Sequence, residues 1–417
     1  MPNNFSKEER VAFEQLLEGF EDALVLSRMV RKYNTDQQQM ERSINIIWRP
    51  MPYIAQSYAG TDMTGNFNSY TQLSVPASIN RPRSVPWTMT ALELRDALQE
   101  GRLGDAAKQK LASDINVAVN GAVTSLGSLV VKRTSAASGF DDVAAIDSIY
   151  NEQGLGMDDR YAAYSSRDYN SMASNLAARQ TLQGRPETAY DKAYIGEVAN
   201  FGVYKMDYAP RITAAAGGAI TIGAANQFYV PQATTAAPGG EVTNVDNRFQ
   251  NITVSSTTGV QAGDSFQVAG VNSVHHITKQ DTGQPKTYRV VSVVDGTHLQ
   301  ITPPFISGQG GSNAEICYQN CTATPANGAA ITWLNTAASA LNPHWKRDAV
   351  ELLPGRFASP PNAGVQVLRA TTDQGIEVQL SKFQDIDTLL VKYRADIFFG
   401  VAVLNTEMCG VELFNQV

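Results

Sequence analysis

The sequence is poor in the residues on which catalysis and covalent cross-linking usually depend. Its 417 residues include 3 cysteines and 4 histidines, and 18% are charged, against about 25% in typical soluble proteins. Three cysteines are too few for a disulfide scaffold, and four histidines supply little acid–base or metal chemistry. Serine elbows, phosphate-binding glycine loops and paired-histidine zinc motifs are absent as well. The sequence therefore predicts no catalytic residue, no cofactor and no metal site.

An excess of basic charge and long apolar runs are also lacking. Acidic residues outnumber basic ones by 40 to 33, which gives a net charge of −7 and argues against a protein that grips nucleic acid through its phosphates. The longest apolar run, from Ile397 to Leu404, is too short to cross a bilayer, and the first residues lack the apolar core of a signal peptide. We therefore expect a reduced protein that is made in the cytoplasm and has no membrane segment.

The first 33 residues carry an amphipathic pattern. Apolar residues at three- and four-residue spacing predict a helix over 6–32. Residues 1–22 hold six acidic and two basic residues, whereas residues 23–33 hold three basic residues and no acidic one. This polarity either complements the helix dipole or forms an acidic docking face, and the two uses are compatible.

Residues 49–87 contain five prolines and show no helical period, which predicts an extended loop. Such a loop still carries apolar side chains that need a covering surface. A neighbouring subunit is the natural candidate, and the alternative is a long hairpin that lies on its own domain. The side chains for which we predict a contact between subunits are Phe67, Tyr70, Leu73 and Val75.

A long helix and an inserted β module follow. Apolar residues at steps of three or four from Leu111 to Leu129 predict a long helix that is capped by Asp105. From about 213 to 334, β alternation and turn residues predict a small antiparallel barrel or sandwich. After it, residues 335–342 have a helical pattern, and the alternation in 376–380 and 395–403 predicts final strands.

The clearest turn signal within the β module is Asp295-Gly296. It predicts a hairpin with a two-residue turn. That register would place four apolar residues on one face, namely Val290, Val294, Leu299 and Ile301. The same module contains Cys317 and Cys321, which with His298 could suggest zinc, but a structural site needs four ligands. Two ordinary thiols are the plainer interpretation, and a disulfide between them requires oxidising conditions.

Several stretches of the module have a specific combined pattern. They are Asn244-Val245-Asp246-Asn247-Arg248-Phe249, Ser255-Ser256-Thr257-Thr258-Gly259, Gly263-Asp264, Val290-Val291-Ser292-Val293-Val294-Asp295-Gly296-Thr297-His298 and Ile301-Thr302-Pro303. Three stretches outside the module agree with them, namely Met40-x-Arg42-Ser43-x-Asn45-x-Ile47-Trp48-x-Pro50, Lys110-Leu111-Ala112 and Gly127-Ser128-Leu129-Val130. In order and spacing these stretches resemble the major coat protein of Lederbergvirus-type phages, the short-tailed Salmonella phage family.

This resemblance implies an α+β protein with the Hong Kong 97-type capsid fold. Residues 1–33 would be an N-terminal arm, and 34–220 with 337–417 the capsid core. Within the core, 49–87 would be the extended loop, 105–131 the spine helix, and about 135–220 with part of the C-terminal region the axial domain. Residues 221–336 would be a six-stranded inserted β-barrel.

The resemblance also implies partners and surfaces. Other copies of the chain, in hexamers and pentamers, would assemble with a scaffolding protein and a portal protein in the host cell cytoplasm. The virion capsid would enclose double-stranded DNA without sequence-specific binding. Glu14 matches the acidic arm position that receives the scaffolding protein in that family, and Glu18 and Glu21 lie nearby. The family's acidic protruding loop corresponds to Gln232–Gly240, which has no acidic residue here, so Glu241 is the nearest candidate for such a contact.

Two other classes of function remain open at this point. One is a cell-surface or virion-surface binding protein that uses the β module. The other is an enzyme whose pocket is lined by His275, His298 and an acidic residue. The missing signal peptide and the few aromatic residues in 221–336 argue against the first, and the thin supply of reactive side chains argues against the second.

Overall fold

A computed structural model of the chain shows a mixed α+β protein, as predicted. The residues that it describes are 10–11, 13–14, 17, 20, 26–33, 43–47, 60, 63–64, 67, 71–90, 102–178, 196–206, 208–357, 365–372, 375–385, 387–388 and 390–417.

The helices with defined bounds are α1 (Arg102–Leu126), α2 (Phe140–Glu152), α3 (Ser166–Ala178) and α4 (Asn313–Tyr318). Short 3-10 helices span Leu26–Met29, Arg347–Ala349 and Thr406–Met408. The strands up to the β module are β1 (Arg31–Lys32), β2 (Ser43–Ile47), β3 (Ser74–Ser78), β4 (Arg81–Thr90), β5 (Leu129–Lys132), β6 (Arg160–Tyr164), β7 (Gly196–Val198), β8 (Phe201–Lys205) and β9 (Arg211–Ile212).

The β module and the C-terminal part supply the other strands. They are β10 (Thr234–Ala236), β11 (Val242–Asn244), β12 (Gln250–Thr253), β13 (Ser265–Val274), β14 (Asp281–Val293), β15 (His298–Thr302), β16 (Ile331–Trp333), β17 (Ser339–Ala340), β18 (Asn342–Lys346), β19 (Val350–Gly355), β20 (Gln366–Thr371), β21 (Glu377–Gln384), β22 (Leu390–Val403) and β23 (Cys409–Leu413).

The chain divides into two compact units. The first contains Met1–Ile44, Ala77–Gly121 and Val350–Ala402, and the second contains Asn45–Pro76, Ala122–Ala349 and Val403–Val417. The predicted capsid core of 34–220 and 337–417 is thus shared between the units, because chain segments far apart in sequence pair in each of them.

The first unit is built on the sheet β1-β19-β22-β21-β20, with β4 also paired to β22. Strand β22 alternates as predicted, and every second residue from 391 to 399 is buried. Strand β4 pairs with it antiparallel over ten residues, from Leu390 opposite Thr90 to Phe399 opposite Arg81. Residues 81–87, which we predicted as part of an extended loop, are therefore a regular strand of this sheet.

The N-terminal helix is shorter than predicted over 6–32. The described residues between 10 and 20 are helical, but the chain then forms the 3-10 helix Leu26–Met29 and strand β1. Strand β1 pairs in parallel with β19, and the amide of Tyr33 donates to the carbonyl of Leu352 at 3.1 Å. Pairing with a strand more than 300 residues away outweighs the local helical pattern.

The long helix also differs from its prediction of 105–131. Helix α1 begins three residues before Asp105 and ends at Leu126, and Leu129 is already buried in strand β5. The chain leaves the helix at Gly127, where an added Cβ would lie 2.8 Å from the Cα of Gly410. This close approach admits only glycine, and the last apolar repeats of the pattern belong to a strand.

The second unit contains a mixed sheet in the order β5-β23-β18-β6-β8-β7. Strand β23 pairs in parallel with β5 and antiparallel with β18, and β6 pairs in parallel with β8. The predicted helix at 335–342 is wrong, because this segment forms β17 and the start of β18. Asn342 opposite Glu412 and Trp345 opposite Cys409 show that the segment is drawn into the sheet.

The β module is a closed antiparallel barrel within the second unit. Five strands follow the order β12-β15-β14-β13-β16. The segment 220–223 closes the two edges, because the amide of Gly223 donates to the carbonyl of Thr253 at 2.9 Å and the amide of Ile222 to that of Ala329 at 2.9 Å. Counting this segment, six extended pieces surround one apolar core, so neither edge is left open.

The predicted hairpin of the module is present with a different turn. Strands β14 and β15 pair antiparallel, with Val290 opposite Ile301 and Val293 opposite Leu299. A bulge between Val290 and Ser292 shifts the register. As a result Val290, Leu299 and Ile301 are fully buried, whereas Val294 is 52% exposed. The prediction that Val294 shares the buried face was therefore wrong.

Candidate functional site

The β module is joined to the rest of its unit by a short neck. Strands β9 and β17 pair antiparallel there, with Ile212 opposite Ser339. Next to this pair, the amide of Ala215 donates to the carbonyl of Asn335 at 2.7 Å. The chain therefore enters and leaves the module side by side.

Beyond the neck, strand β14 covers the outer edge of β5, the first strand of the mixed sheet. The hydroxyl of Thr287 donates to the carbonyl of Ser128 at 2.6 Å and accepts from the amide of Val130 at 3.4 Å. The guanidinium of Arg289 donates to the carbonyl of Gly127 at 3.4 Å. Side chains of the module thus satisfy backbone groups that an edge strand would otherwise leave unpaired.

A buried ion pair lies beside these contacts. Lys286 of β14 donates from Nζ to Oε1 of Glu407, and both side chains are at most 3% exposed. Burial alone would raise the pKa of Glu407, yet the charge of Lys286 holds the pKa below the ordinary value. Removal of either partner would leave the other charge buried without a counter-ion. We therefore expect substitution of Lys286 or Glu407 to destabilise the contact between the module and the rest of its unit.

Two more contacts complete the surface. Arg248 bonds Asp246 at 2.6 Å and donates from Nη1 to the carbonyl of Val403 at 2.7 Å. On the other side, the amide of His276 donates to the carbonyl of Gln153 at 3.0 Å, in the turn after α2. We call the contacts of Arg248, His276, Lys286, Thr287 and Arg289 with the rest of the second unit the docking surface.

The same module also presents a surface that pairs with no other sheet in the described part of the chain. Strands β10 and β11 form an isolated hairpin, and every residue of both strands is exposed. A turn closes it, in which the amide of Gly240 donates to the carbonyl of Ala237 at 2.9 Å. Val242 is 62% exposed there. We call residues 234–244 the projecting hairpin.

The residues considered for metal binding or catalysis do not form a site. Cys317 lies in α4 and Cys321 beside β13, and both are buried free thiols. His298 is bound to Asp295 at 2.8 Å in an exposed turn. His275 lies at the other end of the 13-residue strand β14, a separation of roughly 40 Å at the usual rise per residue. His275 and His298 therefore cannot line one pocket.

The part of the chain that the structure describes contains no group of three or more His, Cys, Asp or Glu side chains arranged to hold a metal ion. Among the same residues, none of the helices combines the length and apolarity needed to span a bilayer.

The family model of the P22 coat protein (gene protein 5) matches residues 1–415. The chain belongs to the P22 coat protein family. It is accordingly a major capsid protein of a bacteriophage, which self-associates to form the shell of the virion, and it is not an enzyme.

Solved phage structures are similar to this coat protein as well. The CUS-3 coat protein I-domain is 41% identical, and the match covers 28% of this chain and 96% of that chain with a TM-score of 0.22. A structure of Mycobacterium phage Che8 is 9% identical, and the match covers 93% of this chain and 90% of that chain with a TM-score of 0.44. The capsid structure of the Cyanophage P-SCSP1u is 10% identical, and the match covers 93% of this chain and 86% of that chain with a TM-score of 0.41. Assignment to the family rests on the whole-chain model.

The predicted surface residues of the coat protein fall into three groups. Glu14 is exposed on the helical part of the N-terminal segment, Phe67 is 85% exposed, and Glu241 is exposed in the turn of the projecting hairpin. Glu18, Glu21 and Tyr70 lie outside the described residues.

Leu73 and Val75 require a correction. Both are fully buried by the chain itself. They alternate with the more exposed Ser74 and Pro76 at strand β3, as expected for a strand with one covered face. Because the subunit already covers these two side chains, the reason for assigning them to a contact with a neighbouring subunit is removed.

Sequence reasoning missed the docking surface. Its members are one lysine, one threonine, two arginines and one histidine, of which three lie in β14, and the partner Glu407 is 121 positions from Lys286. The one available signal was chemical. Lys286 and Arg289 fall in a strand next to apolar core residues, where a charged side chain is rarely buried without a partner.

Proposed function

We propose that this coat protein assembles with a scaffolding protein and a portal protein into an icosahedral shell of hexamers and pentamers around double-stranded DNA. The subunit would have the Hong Kong 97-type arrangement, with 1–33 as arm, 49–80 as the extended-loop region that leads into β4, and 221–336 as the inserted domain. Assembly would take place in the host cell cytoplasm. The net charge of −7 supports a container that holds DNA without gripping its phosphates.

The observation that carries this proposal is the projecting hairpin. Its strands are exposed along their whole length, although they contain Val242 and several threonines rather than a solvating cluster of charges. Because its backbone and its side chains are exposed, the projection is free to meet a neighbouring copy. A hairpin that reaches a neighbouring copy would add a small contact that the closed shell repeats many times.

Contacts of the projecting hairpin would depend on apolar and hydroxyl groups rather than on charge. Strands β10 and β11 contain no ionisable residue, and Glu241 precedes β11 in the turn. Assembly through the hairpin would therefore depend weakly on salt, because screening acts on charge pairs and not on apolar contacts.

Val242→Asp tests the role of the hairpin. It places a charge where we expect an apolar contact, and Thr258→Asp is the matched control at an exposed loop of the same module. With purified subunits and scaffolding protein, V242D should give far fewer closed shells in sedimentation and negative-stain images, and T258D should assemble like the wild type. Equal yields for both variants would refute the hairpin contact.

The acidic arm would receive the scaffolding protein. Glu14 is exposed on a helical segment whose Phe13 and Phe20 are buried, so its carboxylate faces away from the covered side. Glu18 and Glu21 belong to the same acidic run of the sequence. A basic helix of the scaffolding protein would match this charge.

Charge reversal by Glu14→Lys tests the arm. It should weaken binding of the scaffolding protein in a pull-down at low salt, and the loss should shrink as salt is added. Glu152→Lys, at the exposed end of α2, is the control. If both variants bind scaffolding protein like the wild type, the arm is not the binding site, whereas the hairpin test is unaffected.

A further inference from the structure

His276 occupies an unusual place in the docking surface. The side chain is 4% exposed, and neither ring nitrogen has a hydrogen-bond partner among the described residues. Its backbone amide crosses the surface to the carbonyl of Gln153. Next to it, the ring of His275 fits against Gly154, where an added Cβ would lie 2.5 Å from Cε1. These two histidines fix the module to the turn after α2.

The charged groups around His276 come from three elements. Lys286 lies on β14, Glu407 on the 3-10 helix Thr406–Met408, and Lys279 with His275 in the loop between β13 and β14. Glu407 is already paired with Lys286. A proton on His276 would place a third cation near a single carboxylate, and neither ring nitrogen is hydrogen-bonded to a described residue.

We propose that His276 makes the docking of the β module sensitive to acid, so that protonation of this side chain releases the module from the edge of β5 while the barrel stays folded. The barrel has its own closed hydrogen-bonding and its own core. The docking surface is polar, and beside it Leu334 at the end of the module shares a small apolar cluster with Val130 and Val411. The paired strands β9 and β17 at the neck provide a place about which the module turns.

The direction of the effect follows from burial. Burial lowers the pKa of His276 from 6.5 to about 4, with Lys286 and Lys279 acting in the same direction and Glu407 against it. The docked state therefore needs the neutral ring, and its stability is complete above pH 6.5 and is lost as pH falls toward 4. The equilibrium constant for release should rise about tenfold for each pH unit in this window, or about 300-fold in all.

Two amides report the release directly. The amide of Val130 bonds to the hydroxyl of Thr287, and the amide of His276 bonds to Gln153, so both lose their partner when the module leaves. Amides shared by β12 and β15 lie within the barrel and serve as the internal reference. Hydrogen exchange of the unassembled full-length chain, corrected for the intrinsic pH dependence, measures all of them.

Wild-type protein should lose protection at Val130 and His276 between pH 6.5 and 4.5, while the β12–β15 amides stay protected. His276→Phe keeps a ring of similar size that cannot be protonated. In this variant the exchange protection of the Val130 amide should therefore not change with pH over this range. His298→Gln, at an exposed turn of the same module, should behave like the wild type.

Three results would overturn the proposal. The first is a wild-type chain whose Val130 protection does not change with pH. The second is an unaltered pH dependence in H276F, or in His276→Gln if the phenylalanine variant does not fold. The third is a simultaneous loss at β12–β15, which would show unfolding of the barrel instead of its release. Because the experiment uses unassembled subunits, none of these results depends on the scaffolding protein or on the projecting hairpin.

Discussion

The β module has two contrasting surfaces. The docking surface is buried, rich in charge and bound to one defined partner, since Lys286, Arg289 and His276 are each at most 4% exposed. The projecting hairpin is exposed, contains no charge within its strands and, among the strands that the structure describes, pairs with no other sheet. Charged groups therefore mark the contact within the subunit, and apolar and hydroxyl groups mark the surface that we assign to neighbouring copies.

This difference has a physical reason. A buried ion pair is costly unless its geometry is fixed, and a covalently connected chain can fix it once during folding. A contact between subunits has to form many times and adjust as the shell grows, so small non-directional contacts are better suited to it. Four predictions follow, from the largest expected effect to the smallest. Three test the contrast directly, and the one on Glu412 tests a buried carboxyl of the mixed sheet that the module covers.

Lys286→Ala should destabilise the subunit most. It leaves Glu407 buried without its partner, which typically costs about 3–5 kcal/mol. Urea unfolding of the unassembled chain measures this loss. The double variant Lys286→Met with Glu407→Leu should recover most of it. If K286A unfolds like the wild type, the ion pair is not a main contact of the docking surface.

Glu412→Gln should change the pH dependence of stability. Burial, with Asp142 nearby, raises the pKa of Glu412 from 4.5 to about 8, and Tyr164 donates to it at 2.9 Å. The folded chain thus keeps this carboxyl protonated, and stability is highest below pH 4.5 and decreases up to pH 8. Each pH unit lowers the folding equilibrium constant about tenfold. Unfolding curves at pH 5, 6 and 7 should show a smaller slope for E412Q, and an unchanged slope would contradict the assignment.

Thr287→Val should have a moderate effect. It removes the hydroxyl that joins the backbone of Ser128 and Val130, for a cost of about 1–3 kcal/mol. We expect faster exchange at Val130 and a lower unfolding free energy. Thr297→Val, in the exposed turn, is the comparison and should change neither. Identical exchange in both variants would mean that β14 does not seal the edge of β5.

Val242→Asp should have the smallest effect on the subunit itself. Exposed substitutions usually change stability by less than about 0.5 kcal/mol, and the side chain of Val242 is mostly in solvent. Thermal unfolding of the unassembled chain should match that of the wild type. A large loss of stability would mean that the hairpin is part of the subunit's own structure, and the contrast between the two surfaces would not hold.

Local patterns predicted local structure well. The Asp295-Gly296 signal gave the β14–β15 hairpin, and strict alternation gave β22, because adjacent residues determine turns and faces. The bulge that exposes Val294 was not predictable, since it comes from the register with the partner strand. Strands β1, β4 and β17 were missed for a related reason, because their partners are distant in the sequence.

Prediction of the functional residues was limited in the same way, because a sequence does not show which distant residues meet in the folded chain. Glu14 and Glu241 were proposed from the family resemblance, and both are exposed, so their contacts stay predictions. Leu73 and Val75 were assigned to a contact between subunits because a sequence shows that a side chain needs cover but not which surface supplies it. Lys286 and Glu407 carry no common motif, so only the folded chain brings them together.

The neck has a consequence for how such proteins diversify. Since Ile212 and Ser339 lie opposite each other, a tight turn could join the chain at this place without disturbing the strands on either side. The segment between β9 and β17 could then be replaced as one unit. Without the module, the edge strand β5 would expose unpaired backbone groups. A replacement segment would therefore need side chains that bond to these groups, because an open edge strand promotes aggregation.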